Sequence, residues 1–159
     1  MQQEYFSVEL SGSVHLAFPL EDLVKVIEIK PKNLYLMPGM APFWLGVINH
    51  QGNLLWVLDS EDFFDLEQQT YKSKSTLKAV ILQKQIKKNQ RRLALTVDKL
   101  QGIISLDNPE SLSVSSSLPS FYQPFIKGTI FGQGTAIDIL ELEQFFSVVQ
   151  TAKSVKTLT

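Results

Sequence analysis

Short runs of apolar and β-branched residues alternate with turn residues along most of the chain. Residues 14–20 and 23–29 form two such runs, and residues 93–97 and 100–106 form two more. Runs of this length and composition are typical of β-strands. Residues 54–58 are almost continuously apolar, which favours a strand that is buried on both faces. The pattern predicts an all-β fold of short strands joined by tight turns.

One segment of the sequence recurs later in the chain. Residues 46–64 read GVINHQGNLLWVLDSEDFF and residues 128–146 read GTIFGQGTAIDILELEQFF, with eight identities in nineteen positions and no gap. A second matching pair, residues 16–29 and 93–106, lies upstream of the first pair in the same order. Such ordered self-similarity indicates that one structural unit is duplicated.

Each copy contains five short strand patterns and then an acidic stretch with two adjacent phenylalanines. A small sheet protects its edges best when it curls closed. We therefore predict an all-β protein with short helices, made of two five-stranded β-barrel subdomains related by internal duplication, with a C-terminal helix. The predicted boundaries are residues 1–66 for the first barrel, 67–76 for a polar linker, 77–149 for the second barrel with its closing helix, and 150–159 for a polar tail.

Composition narrows the class of protein. The 159 residues carry a net charge of −1 and include no cysteine, so disulfides and thiolate metal sites are excluded. The first ten residues, MQQEYFSVEL, lack the basic and apolar regions of a signal peptide. No apolar run approaches the roughly 20 residues that a membrane span requires. We expect a cytoplasmic protein without membrane insertion.

Candidates for catalytic chemistry are few. His15 and His50 have no companion residues at metal-ligand spacing, and the sequence contains no nucleophile or phosphate-loop motif. Asp59 and Glu141 occupy equivalent repeat positions, where a pair of carboxylates for acid–base chemistry is conceivable. Each also precedes a short helical stretch, so helix capping is the favoured interpretation. We predict that the protein is not an enzyme and uses no cofactor or metal.

The segment 84–92, KQIKKNQRR, holds five basic residues and no acid. It is either a solvated hairpin tip or a phosphate-binding loop. A small β-barrel that binds oligonucleotides is therefore the alternative function. Near-neutral net charge and the absence of aromatic residues among these cations argue against it, and we predict no nucleic-acid partner.

The stretch 42–52, PFWLGVINHQG, followed by an apolar strand that ends at Asp59, resembles the CheW family. Residues 23–29 resemble the L-x-x-V-x-E-I strand of that family, with Val26 and Glu28 at its fixed positions. Residues 95–98, LTVD, resemble a later family motif. The resemblance covers about residues 4–148 and agrees with the duplicated pattern.

This resemblance implies a double-barrel signalling adaptor or scaffold. Such a protein would couple a methyl-accepting chemoreceptor-type protein to the regulatory domain of a CheA-type histidine kinase, in a two-component pathway for chemotaxis or surface motility. The kinase domain would dock barrel to barrel, and the helical tip of the receptor would lie in the groove between the barrels.

The resemblance also selects residues for partner binding. Val26 and Glu28 fall on the strand implicated in partner contacts, and Gln51 falls where family members frequently carry arginine. Gln51 cannot supply the fixed charge or the planar fork of donors that arginine offers. Phe43 and Trp44 are either exposed contacts for a partner or core residues, and the same two alternatives hold for Val26.

Overall fold

The structure is a computed structural model that describes residues 2–66, 75–109, 112–114, 118–132 and 134–151. Its elements are the strands β1 (Gln3–Leu10), β2 (Val14–Pro19), β3 (Leu23–Ile29), β4 (Trp44–His50), β5 (Asn53–Leu58), β6 (Leu77–Ile86), β7 (Asn89–Val97), β8 (Lys99–Leu106), β9 (Ile126–Gly132) and β10 (Thr135–Leu140), and the helices α1 (Ser60–Phe63) and α2 (Leu142–Thr151). The predicted all-β class with short helices and a C-terminal helix is confirmed. Most of the predicted linker and tail, residues 67–74 and 152–159, lie outside the described residues.

The ten strands form two five-stranded sheets. Sheet A has the order β8-β1-β2-β10-β9, and sheet B has the order β3-β6-β7-β5-β4. Exchanging β1–β5 with β6–β10 converts one order into the other, so both sheets have the same topology. The predicted duplication is thereby seen in the strand order itself.

The two halves of the chain exchange strands between the sheets. Residues 1–66 and 77–149 were predicted to form one barrel each, but each half contributes strands to both sheets. The chain crosses from sheet A to sheet B through the short 3-10 turn Leu20–Asp22, and it crosses back between β7 and β8 at Asp98. Connectors this short resemble ordinary hairpin turns in the sequence, although the strands they join do not pair.

Two hairpins show how closely the copies agree. In the β4–β5 hairpin Trp44 pairs with Leu58, and the next pair is Gly46 with Val57. In the β9–β10 hairpin Ile126 pairs with Leu140, and the next pair is Gly128 with Ile139. The register shift falls at the same place in both hairpins, so the repeat found in the sequence is also a repeat of strand pairing.

Gly46 explains one of the identities between the copies. Its φ is +150°, and a Cβ placed on it would lie 2.8 Å from the carbonyl oxygen of Tyr35. Tyr35 approaches because its backbone exchanges two hydrogen bonds with Val47, at 2.8 and 2.9 Å. At the equivalent position of sheet A, a Cβ on Gly128 would overlap Leu112. Glycine is required at both positions because a connector packs directly over the strand.

The largest apolar core lies between the two sheets. Sheet B encloses a small core of its own that includes Ile29, Leu55 and Ile81, and sheet A encloses another around Tyr5 and Ile139. The core between the sheets receives Phe63 of α1, the adjacent Phe64, and Phe145 and Phe146 of α2. Within the described residues, the groove predicted between the barrels is therefore filled with side chains, and partly buried apolar residues lie along its rim.

Candidate functional site

A cleft separates the two edge strands of sheet B. β3 and β4 stand at opposite ends of the strand order of this sheet, and curling of the sheet brings them face to face. The cleft has a volume of about 470 Å³ and is lined by residues 25–30 together with Asn33, Ile48, Asn49 and His50. It brings the predicted contact residues Val26 and Glu28 into one site. Asn49 and His50, which the sequence analysis did not select as contacts, form its opposite wall.

β3 is held in place by burial on both of its faces. Ile27 and Ile29 pack into the core of sheet B, whereas Val26 packs against the core between the sheets. Glu28 is exposed and lies opposite Lys78 in the ladder with β6. A charged residue on an exposed edge strand discourages indiscriminate strand pairing. The apolar residues therefore fix the strand and leave Glu28 free to contact a partner.

Positive charge predominates in the cleft. Lys25 and Lys30 line it, and Glu28 is the only carboxylate among its lining residues in the described structure. Electrostatic complementarity contributes mainly to the specificity and rate of association. A reversal of charge at Glu28 would leave the described lining of the cleft without a negatively charged side chain.

The other predicted contact residues lie outside this cleft. Gln51 is exposed in the β4–β5 turn with a φ of +53°, next to His50. Trp44 is 5% exposed and belongs to the core between the sheets. Phe43 is half-buried and packs edge-on against Phe63, with ring centroids 5.2 Å apart. Of the two alternatives for Trp44, the structure has the core position, so we leave Trp44 out of the candidate site.

Comparison with known proteins places this fold in a family. The family model of the CheW-like domain matches residues 4–150. The chain belongs to the CheW-like domain family. Among solved structures, the scaffolding protein TtCheW from Thermoanaerobacter tengcongensis superposes with a TM-score of 0.70 at 17% identity, over 88% of this chain and 89% of that chain. That likeness concerns the fold. A sequence search among curated proteins found no match.

The rim of the core between the sheets offers a second, apolar surface on this CheW-like domain. Phe6 of β1 and Val26 of β3 are half-buried and pack against that core. Ile103 of β8 lies opposite Phe6 in the ladder and is 55% exposed. Sequence reasoning missed Ile103, although the alignment of residues 16–29 with 93–106 makes it the equivalent of Val26. Transferring the prediction for Val26 to the equivalent position of the second repeat would have identified Ile103.

Asp59 acts as a helix cap, as the favoured interpretation predicted. Its carboxylate accepts a 2.9 Å hydrogen bond from the backbone N–H of Glu61 at the start of α1. Burial, helped by the nearby charge of Asp62, raises the pKa of Asp59 to about 6 against the opposing effect of the hydrogen bond from the Glu61 N–H. Among the described residues, no group of three or more His, Asp or Glu side chains is placed to hold a metal ion. No described helix is long and apolar enough to cross a membrane.

Proposed function

We propose that this CheW-like domain is a non-catalytic adaptor that couples a chemoreceptor-type protein to the regulatory domain of a CheA-type histidine kinase. The pathway would be chemosensory, serving chemotaxis or surface motility, and its site of action would be the cytoplasm. Family membership over residues 4–150 supports the general role. The observation that carries the specific role is the cleft between β3 and β4, where the family-pattern residues Val26 and Glu28 line one wall.

The cleft is suited to another β-rich protein. Backbone groups on the outer edges of β3 and β4 are available wherever no strand pairs with them, and a strand from a partner can extend such an edge. The packed side chains of β3 hold that edge in place before any partner arrives. We infer that the kinase regulatory domain docks here, with Glu28 providing charge specificity.

The apolar rim is suited to the helical tip of a receptor. Phe6, Val26 and Ile103 present partly exposed apolar surface beside a fixed core. An amphipathic helix recognises such a groove by placing its own apolar face along it. Two modest contacts of this kind bind weakly alone and strongly within an array, because tethering raises the effective concentration of each partner.

The test is a comparison of two substitutions at Glu28. Glu28→Lys should weaken pull-down of the kinase regulatory domain by about tenfold, because repulsion replaces attraction between residue 28 and the cationic group of the partner that we expect Glu28 to contact. Glu28→Gln, the matched control, removes the charge without reversing it and should fall between Glu28→Lys and the native chain. Glu28→Gln should melt at the native temperature because the side chain is exposed, whereas Glu28→Lys should melt slightly lower because it places a lysine opposite Lys78 in the ladder. If the loss of binding is accompanied by a large fall in the melting temperature of both variants, Glu28 is structural, and that result would count against the proposed docking site.

Oligonucleotide binding remains the alternative, and the cations of residues 84–92 are the feature that favours it. Phosphate contacts would make such binding strongly dependent on salt. A mobility-shift assay with single-stranded DNA at low salt should show no complex. A complex that dissociates as salt is raised would replace the adaptor proposal with this one.

A further inference from the structure

The β6–β7 hairpin extends past the rest of sheet B. Its last four rungs, from Gln83–Arg92 to Ile86–Asn89, join only these two strands among the described residues, because the ladder with β3 ends at Leu82. We refer to residues 83–92 as the basic arm. Its five cations are Lys84, Lys87, Lys88, Arg91 and Arg92.

The charge of the basic arm is unfavourable to stability. Lys84 lies directly opposite Arg91 in the ladder, and like charges across a rung are destabilising. Lys87 and Lys88 form the turn with φ values of +49° and +69°, which Gly and Asn adopt far more readily. Backbone strain that persists in a protein is frequently found at functional sites. These features suggest that the cations serve a purpose other than folding.

The cations differ in how far they are neutralised within the chain. Lys84 forms an ion pair with Asp22 at 3.4 Å, whereas Arg92 donates a 2.6 Å hydrogen bond to the side-chain oxygen of Gln83, which is uncharged and does not neutralise it. Lys87, Lys88 and Arg91 have no ion-pair partner within the described part of the chain. Three cations at the end of the arm are therefore available to an external anion.

The equivalent hairpin in sheet A can be compared with the basic arm. The equivalent hairpin joins β1 to β2, and its 3-10 turn Ser11–Ser13 contains neither lysine nor arginine. At the rung equivalent to Gln83–Arg92 it carries Glu9 and His15. The same topology thus forms without a basic tip, so the charge is a property of this arm rather than of the fold.

An apolar groove lies between the basic arm and α2. It has a volume of about 350 Å³, with Ile86 and Phe146 as its apolar lining and Lys87 and Arg91 on the side of the arm. The opposite side belongs to α2 and includes Glu143. A groove of this size accommodates one or two aliphatic side chains. Its cationic side attracts carboxylates, while Glu143 repels them and so fixes the orientation of an acidic segment.

We propose that the basic arm and this groove bind an acidic segment of a partner protein, with an apolar side chain of that segment inserted against Ile86. Carboxylates on either side of the apolar residue would pair with Lys87, Lys88 and Arg91. The arm carries no aromatic residue on which a base could stack, which favours a peptide over single-stranded nucleic acid. This contact is additional to the two surfaces of the proposed adaptor function.

Fluorescence anisotropy with the full chain tests the proposal. The probe is a fluorescein-labelled peptide in which two leucines are flanked by aspartates and glutamates. Binding should saturate and should weaken as salt rises from ~0.05 to ~0.5 M, because exposed charge pairs are screened. The variant Lys87→Asn/Lys88→Gly supplies residues that suit the turn while removing two cations. It should melt at a higher temperature and yet bind the peptide about tenfold more weakly.

A matched variant controls for net charge. Lys99→Gln/Lys127→Gln removes the charges of two lysines on β8 and β9 of sheet A, outside the arm, as the turn variant removes two within it, and should bind the peptide within about twofold of the native chain. The proposal is overturned if the turn variant binds as well as the native chain, or if replacement of the leucines by serine leaves the affinity unchanged. It is also overturned if a thymidine oligonucleotide or phosphatidylserine vesicles displace the peptide through the same residues with higher affinity.

Discussion

The hydroxyl of Thr129 donates a 2.8 Å hydrogen bond to the Oδ1 atom of Asp138, and both side chains are buried in the β9–β10 hairpin. The equivalent cross-strand pair in the β4–β5 hairpin is Val47 and Trp56. One copy therefore fills this position with a polar pair and the other with an apolar pair. The duplicated fold tolerates both because the strand register, rather than the chemistry of the pair, positions the side chains.

Loss of the Thr129 hydroxyl should destabilise the protein. Thr129→Val leaves the buried carboxylate of Asp138 with one donor fewer, which typically costs about 1–3 kcal/mol. The combined change Thr129→Val/Asp138→Leu imitates the apolar pair of the other hairpin and should recover part of that loss. Urea unfolding of the three proteins measures both effects. A double variant less stable than Thr129→Val would contradict this account of the pair.

Gly46→Ala should be far more damaging than a similar change at another glycine. The new Cβ would press against the carbonyl oxygen of Tyr35 at 2.8 Å, at a backbone φ of +150°. We expect a loss of about 2–4 kcal/mol, as for other changes that create strain in a packed region.

The matched control for that change is Gly52→Ala. Gly52 also has a positive φ, +85°, but a Cβ there meets nothing within 4 Å. Gly52→Ala should therefore lower the free energy of unfolding only by the cost of placing a Cβ at a positive φ, about 1 kcal/mol. Thermal melts of the two variants measure the difference, and equal melting temperatures would show that the close approach of Tyr35 has no energetic consequence.

The sequence predicted which elements are equivalent but not how they are arranged in space. Gly46 and Gly128 are identical because a connector packs closely against each of them. Each connector belongs to the same copy as its glycine, so the sequence of one copy is enough to reveal this requirement. The exchange of strands depends instead on the turn Leu20–Asp22, where the chain leaves sheet A for sheet B. Nothing in that short segment distinguishes a crossing from a hairpin. Trp44 was ambiguous for a related reason, since an aromatic residue at the start of a strand suits either a core or an interface.

Asp59 should make stability depend on pH in the mildly acidic range. The folded protein holds the Asp59 proton up to a pKa of about 6, whereas the unfolded chain releases it near the ordinary value of 3.8. Between these values the unfolded state binds fewer protons, so the free energy of unfolding falls as pH rises. The total change from this one residue should be about 3 kcal/mol, and it should be complete above pH ~7.

Asp59→Asn isolates this contribution. Asparagine keeps an oxygen that can accept the hydrogen bond from the Glu61 N–H, but it cannot ionise. The variant should therefore be at least as stable as the native chain at neutral pH, with a flatter profile between pH ~4 and ~6. Burial also raises the pKa of Asp22, with Lys84 opposing that shift, so some dependence on pH will remain in both proteins. Identical profiles would exclude Asp59 as the source.

Ile103 should matter for receptor binding and not for folding. Its side chain is 55% exposed, and it lies opposite Phe6 at the rim of the core between the sheets. Ile103→Lys places a charge in the path of an apolar helix face, and we expect about tenfold weaker binding of a receptor-tip peptide with little change in melting temperature. Leu54→Lys is the matched control, because Leu54 is 69% exposed on β5, outside the proposed rim. Since both substitutions add the same charge to an exposed strand position, only a surface used by the receptor will distinguish them. Equal binding by the two variants would remove the rim from the proposed adaptor mechanism while leaving the β3–β4 cleft as the site for the kinase.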